Sequence, residues 1–349
     1  MSDGNGYVHR AGIHSESACQ RNVLAALGHD IDEHVVFGLD GGFGFSYFPT
    51  RGNTPDIIVG KQVVMPLRAA RLLGVAVHAH TPRSASGLAE ILGTVPAATT
   101  RVDIGLLPYW GLAGRASFGG YFVNVVRATG QGEFEVSDPA RDSTVLVRAD
   151  DLTAARGSRN SPPLNPNWRV YTFGSPRNSP RLDLVAPVAV RTLSREVLKP
   201  GSRSLGIPAM KVLTATAPSW ATTKRGEVED VDLQGNVITT TALARQLLHL
   251  GRQIESFGTG GGMFRPMIAR FLTTLFEHCD NPGYAEAADL FEQSAEHWTG
   301  LGKALLARSA CADDSELAGL VDAVVTSVRA SMELEKRALA GLTAIQGRG

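Results

Sequence analysis

The residues best suited to chemistry lie near the start of the chain, in Gly12-Ile13-His14-Ser15-Glu16-Ser17. A glycine-led turn here delivers a hydroxyl to the head of a helix. The apolar positions Val23, Leu24 and Leu27 give that helix a buried stripe, and Gly28 closes it. A helix start carries partial positive charge and unpaired N–H donors, so it stabilises an alkoxide, a thiolate or an oxyanion placed there. Ser15 therefore has two readings: an N-cap for its own helix, or a nucleophile-capable group at an oxyanion site. His14 is its neighbour, and neighbours on a helix do not face one another, so His14 is a poor general base for it. Cys19, one turn further in, sits where an apolar setting favours the neutral thiol.

A second glycine cluster, Phe37-Gly38-Leu39-Asp40-Gly41-Gly42-Phe43-Gly44-Phe45, offers close backbone approach to a ligand. A third runs from Glu255 through Gly258-Thr259-Gly260-Gly261-Gly262-Met263-Phe264 to Arg265. It reads as a helix stop, a link and a new helix beginning near Met263. Arg265 in a first turn opposes its own helix dipole and so calls for an anion, either a ligand phosphate or carboxylate, or Glu255 in an ion pair. No Gly-Lys-Ser/Thr follows and no strand precedes, so this is neither a Walker loop nor a dinucleotide fingerprint. His78 and His80 share a strand face without a third ligand at metal spacing, so no metal is expected. The candidate substrate-binding set is His14, Glu16, Gly41, Gly42, Glu255 and Arg265.

The elements that must position these groups fall into two halves. Helices at 66–73 and 86–92 flank a strand at 75–80, and strands follow at 101–107, 120–127, 133–137 and 144–148. Thr129-Gly130-Gln131-Gly132 gives a hairpin signal, so the sheet is expected to be antiparallel and the class α+β. Residues 157–183, rich in Ser, Asn and Pro around one short strand at 168–173, read as a linker between a domain at 1–156 and a helical domain at 184–349. Helices in that second half are expected at 242–257, 263–278, 284–298, 300–310 and 314–342.

The 349 residues carry 34 basic and 34 acidic side chains, a formal net charge of zero, with no basic stripe. That balance argues against nucleic acid or a membrane surface as partner. Three cysteines without Cys-x-x-Cys spacing, no signal-peptide pattern in the first residues and no apolar run of about 18 residues point to the cytoplasm.

Taken together, the run at 12–17, the run at 37–45, Val102-Asp103 with Leu107-Pro108-Tyr109, and a strand ending in Asp138 resemble the butirosin biosynthesis protein H family. The stretch from Ile254 to Arg265, with Ala269-Arg270-Phe271-Leu272, resembles the helical domain that often follows it. The resemblance implies a papain-like cysteine-peptidase fold turned to acyl transfer from a carrier-protein thioester to an aminoglycoside amine. Its expected machinery is a cysteine at the helix start, a histidine on a following strand and an aspartate that orients the histidine. Here Ser15 holds the cysteine position, the strand 118–125 contains no histidine and places Gly120 or Tyr121 there, and Asp138 alone fits its slot. The catalytic candidates are thus Ser15, Tyr121 and Asp138, with His9, His78 or His80 as other sources of a base. Three functions stay open: an acyltransferase using Ser15, a non-covalent cyclase or isomerase of a polyketide or peptide intermediate, and a module that only binds a carrier protein. The expected partner is a small-molecule or carrier-bound acyl substrate, no cofactor is expected, and a homodimer is compatible with the sequence.

Overall fold

A computed structural model describes residues 6–61, 67–112, 116–162, 164–175, 181–231, 237–309 and 313–346. Pro66, Pro163, Pro176, Ala310, Cys311 and the first five residues, all used in the sequence reading, lie outside that set. In chain order the elements are α1 (Ser15–Ala26), α2 (Glu33–Leu39), β1 (Phe43–Phe48), β2 (Ile57–Lys61), α3 (Arg68–Leu72), β3 (Val77–His80), α4 (Ala85–Leu92) and β4 (Ala98–Val102). Next come β5 (Tyr121–Ala128), β6 (Glu133–Ser137), β7 (Val145–Arg148), α5 (Ala149–Gly157), β8 (Val170–Phe173), α6 (Leu182–Leu198), α7 (Gly206–Thr216) and α8 (Trp220–Thr223). The chain finishes with β9 (Glu227–Val231), β10 (Val237–Thr241), α9 (Ala242–Glu255), α10 (Arg265–Cys279), α11 (Pro282–Arg308) and α12 (Asp314–Gln346).

Two compact units result, one of residues 1–36 with 66–181, the other of 37–65 with 182–349. The chain therefore changes unit inside α2 and again near residue 65, as well as in the Pro-rich segment. In the first unit a six-stranded sheet runs β3-β8-β4-β5-β6-β7 with every pairing antiparallel, giving the α+β class. Val123 and Val125 of β5 and Val136 of β6 join Leu88 of α4 and Leu152 of α5 in its core. The region 101–107 is a strand only to Val102. Asp103 then accepts from the amide of Gly105 and turns the chain into two 3-10 turns, Ile104–Leu106 and Pro108–Trp110.

The second unit is helical apart from two hairpins, β1 with β2 and β9 with β10. Gly300 does not divide a helix: α11 runs unbroken for 27 residues, with Trp298, Leu301 and Leu305 keeping one buried face. Gly302 in it is needed for packing, because a Cβ there would lie 2.6 Å from Glu255 Cγ. Among the described residues no helix is long and apolar enough to cross a membrane.

Candidate functional site

The turn before α1 is shaped by one carboxylate. Glu33 accepts from the amides of Ile13 (3.0 Å) and His14 (2.7 Å), and Arg21 lies 3.7 Å from it. Gly12 is required beside it, since a Cβ there would meet Ala18 Cβ at 2.3 Å and Glu33 Oε2 at 2.7 Å. The N-cap of α1 is His14, not Ser15: His14 Nδ1 accepts from the Ser17 amide at 3.4 Å. Its side chain is buried in that role, and Glu16 behind it is only 2% exposed, so neither presents itself to a ligand. At the other end Gly28 adopts φ +91°, and its amide and that of His29 reach back to Ala25 O and Leu24 O, as expected of a Schellman stop.

Ser15 is consequently the first helical residue and half-buried. Its Oγ accepts the amide of Phe122 in β5 at 3.3 Å. No other partner of the hydroxyl is found among the described residues, so no base receives its proton. The Ser15 N–H, one of the amides a helix leaves unpaired, also has no partner there.

Tyr121 and Asp138 do come together. Tyr121 donates to Asp138 Oδ1 at 2.6 Å, Tyr109 and Trp110 Nε1 donate to Oδ2 at 2.9 and 3.1 Å, and the Ala140 amide donates to Oδ1 at 2.9 Å. Arg141 lies over the rings of Tyr109 and Trp110. Burial, with the Asp138 carboxylate next to it, pushes the Tyr121 phenol far above its ordinary pKa, and the same causes act on Tyr109. Tyr121 is thus held protonated as a donor and does not serve as a base. Neighbours on a strand also point to opposite faces. Phe122, whose amide binds Ser15, lies beneath Arg101 with its ring, while Tyr121 turns to Asp138.

The other bases fare similarly. His9 Nε2 is 2.9 Å from Arg141 O, an acceptor, so Nε2 carries the proton. Its Nδ1 is 2.7 Å from Ser137 Oγ, which accepts from Tyr7, whose own oxygen accepts from Asn124. His80 Nε2 is 3.0 Å from Thr172 Oγ1, and His78 is exposed on the edge strand β3. Cys19 is fully buried, and burial first, then Asp138, drives its thiol well above the usual range. Among the described residues no group of three or more His, Cys, Asp or Glu could hold a metal ion.

In the second unit the remaining candidates are structural. Gly41 (φ +71°) and Gly42 close α2, their amides reaching Gly38 O and Phe37 O, so this glycine pair is a helix stop and not a ligand cradle. Gly38 is required because a Cβ there would enter the Phe271 ring at 2.2 Å. The link at 258–262 has four glycines at positive φ and presses against α11, where a Cβ on Gly262 would meet Ala295 O at 3.2 Å. Glu255 accepts from the Gly262 amide and does not pair with Arg265. Arg265 has an anion inside the chain: its Nε and Nη2 donate to Glu335 at 2.8 and 3.1 Å, with both side chains fully buried. Phe43 and Trp298 pack on its guanidinium. Arg265 is therefore withdrawn from the ligand-binding set.

Sequence reasoning missed Glu33, Tyr109, Trp110 and Arg141 as the groups that set the site. Tyr109 and Trp110 follow Pro108, and Arg141 stands three residues after Asp138, so both signals were local. Glu33 gave none, because a carboxylate returning over 20 residues to cap a turn has no fixed spacing.

The family model described as Butirosin biosynthesis protein H, N-terminal, matches residues 14–139. The one described as Domain of unknown function (DUF4872) matches residues 150–342, more than half of the chain. No curated protein matches the chain. The first match begins one residue before Ser15 and ends one residue after Asp138, so it frames the site just described. The chain belongs to the DUF4872 family, and ahead of that domain it carries a match to the Butirosin biosynthesis protein H, N-terminal, family.

Proposed function

We propose that the protein is an enzyme of antibiotic-type natural-product biosynthesis that polarises the carbonyl of an acyl intermediate at the start of α1, without becoming acylated itself. The observation that carries this reading is the pairing at Ser15: an unpaired N–H and a hydroxyl proton without an acceptor, on a half-buried residue at a helix start. Two donors at one residue suit an oxyanion. A serine nucleophile, by contrast, needs a base, and losing a triad member costs on the order of 10⁴-fold in rate.

The chemistry this supports is direct attack by a nucleophile that the substrate brings. An amine adds to a thioester carbonyl, the oxyanion gathers at the Ser15 donors, the C–N bond forms, and the C–S bond breaks with the amine proton passing to the departing thiolate. Intramolecular attack of the same kind gives ring closure. The family resemblance supports a carrier-protein or pantetheine thioester as donor.

The test is intact-protein mass spectrometry during turnover of an aminoacyl-pantetheine thioester with an aminoglycoside acceptor. Product formation with the protein mass unchanged supports the reading. An acyl adduct on Ser15 that chases into product overturns it in favour of covalent transfer. Tight binding of a carrier protein with no turnover of any thioester overturns both in favour of a binding module.

A further inference from the structure

A cavity in the second unit has no part in the reading above. Along β1 the large residues Phe43, Phe45 and Tyr47 alternate with Gly44 and Ser46, so one face of the strand is aromatic and the other nearly bare. A cavity of about 490 Å³ is bounded there by Gly44 and Ser46, by Arg195 and Lys199 at the end of α6, and by Gly206 at the start of α7. That volume lies within the range of small-molecule sites.

Arg195, Lys199 and Ser46 supply its side-chain donors. Ser46 is 1% exposed, and its Oγ has no hydrogen-bond partner among the described residues. Buried hydroxyls are ordinarily satisfied, so one left open beside a cavity points to an absent acceptor. The segment entering α7 is tied to β1, since Ser46 bridges to Leu205 and the Tyr47 amide donates to Ser204 O. The start of α7 adds no set of free amides, since Pro208 has no N–H and the Ala209 amide donates to Leu205 O at 3.3 Å. Gly206 (φ +58°) is needed there, because a Cβ would lie 2.2 Å from Val197 O. Arg195 and Lys199 are exposed and supply two positive charges. Glu196, a carboxylate in the lining, already has a partner in the chain.

We propose that this cavity binds a small phosphate ester. Arg195 and Lys199 hold the phosphoryl group, and the Ser46 hydroxyl donates to the same ligand. An arginine fork and a lysine beside an unsatisfied hydroxyl form a donor set matched to a doubly charged oxyanion. Cations at the end of α6 also offset that helix's own dipole. That role leaves the Ser46 hydroxyl unexplained, whereas the ligand accounts for both.

The experiment is titration of the full-length protein with inorganic phosphate, glycerol 3-phosphate and succinate at constant ionic strength, followed by calorimetry and by ³¹P line width. Saturable binding of both phosphates is expected with Kd in about the millimolar range or tighter. It should weaken about tenfold or more in Arg195→Gln/Lys199→Gln, a change on exposed side chains, and also in Ser46→Ala. Should Ser46→Ala fail to fold, the double variant alone decides. No saturation by about 10 mM phosphate, equal binding in the double variant, or tighter binding of succinate than of either phosphate overturns the proposal.

Discussion

Replacing Glu335 with glutamine is the sharpest test of how the second unit is built. Glu335 grips Arg265 through two hydrogen bonds of 2.8 and 3.1 Å and also accepts from Ser294 (2.8 Å) and Trp298 Nε1 (3.3 Å). Arg265 Nη1 is engaged by Met263 O at 2.8 Å, so the guanidinium has no route to water. Glu335→Gln keeps the shape and strands a buried positive charge, which costs about 3–5 kcal/mol. For a unit of this size that is a fall in Tm of about 6–20 °C, at about 2–4 °C per kcal/mol. The exposed pair Lys336 with Glu333, nearby on α12, is a control whose loss costs about 0.5 kcal/mol or less. Scanning calorimetry and urea unfolding of Glu335→Gln, Lys336→Gln and the double variant Arg265→Met/Glu335→Leu complete the comparison. Removing both charges should recover most of the loss, because apolar replacement of a whole buried pair is often close to neutral. If Glu335→Gln unfolds like the parent protein, or if the double variant is no better than the single, the assignment of Arg265 as an internal structural cation fails.

Two further predictions follow from the first unit. Burial opposes the charge on Asp103, but donors from Ser117, Ser158, Gly105 and Phe118 together outweigh it and hold its carboxyl below the ordinary 3.8. A carboxyl lowered on folding stabilises the protein above its unfolded value, and that stability is lost as pH falls through the folded value. Asp103→Asn should therefore be less stable than the parent at pH 7, with the gap closing as urea unfolding is repeated from pH 4 downward; a gap independent of pH contradicts this. Tyr121→Phe removes one of four donors to Asp138, which should cost about 1–3 kcal/mol in stability. Activity at permissive temperature should stay within about tenfold, and a loss of about 10³-fold in a variant as stable as the parent would show proton transfer by that phenol.

Period and punctuation made much of the fold legible. Alternation through 120–127 and 133–137, with the Gly130–Gly132 turn, identified β5 and β6, and Gly28 marked the end of α1. The β1 strand was hidden because Gly44 and Ser46 on one face dilute the aromatic alternation that Phe43, Phe45 and Tyr47 carry on the other. Gly300 was misleading for the opposite reason: a single glycine weakens a helix by about 1 kcal/mol, less than the packing of Trp298 and Leu305 returns. Of the candidates Ser15, Tyr121 and Asp138, the structure joins Tyr121 to Asp138 and gives Ser15 the Phe122 amide instead, an arrangement the sequence did not indicate. Adjacent residues of β5 share a location while their groups diverge: the amide of Phe122 meets Ser15, and the phenol of Tyr121 meets Asp138. Arg265 was rightly read as needing an anion, but Glu335 lies 70 residues away, and only tertiary packing brings the two together.

The central claim is that the N–H of Ser15 stabilises an oxyanion. It is tested most directly by comparing kcat/KM for Ser15→Ala and Ser15→Pro in the thioester assay. Alanine removes the hydroxyl and keeps the N–H, whereas proline removes both. Proline is well tolerated at a first helical position, and His14 (φ −104°, ψ 117°) already has the extended backbone that a residue before proline adopts. With α1 shown intact by circular dichroism, kcat/KM of Ser15→Pro should lie about 10²–10³-fold below that of Ser15→Ala. Equal values in the two variants would contradict the account.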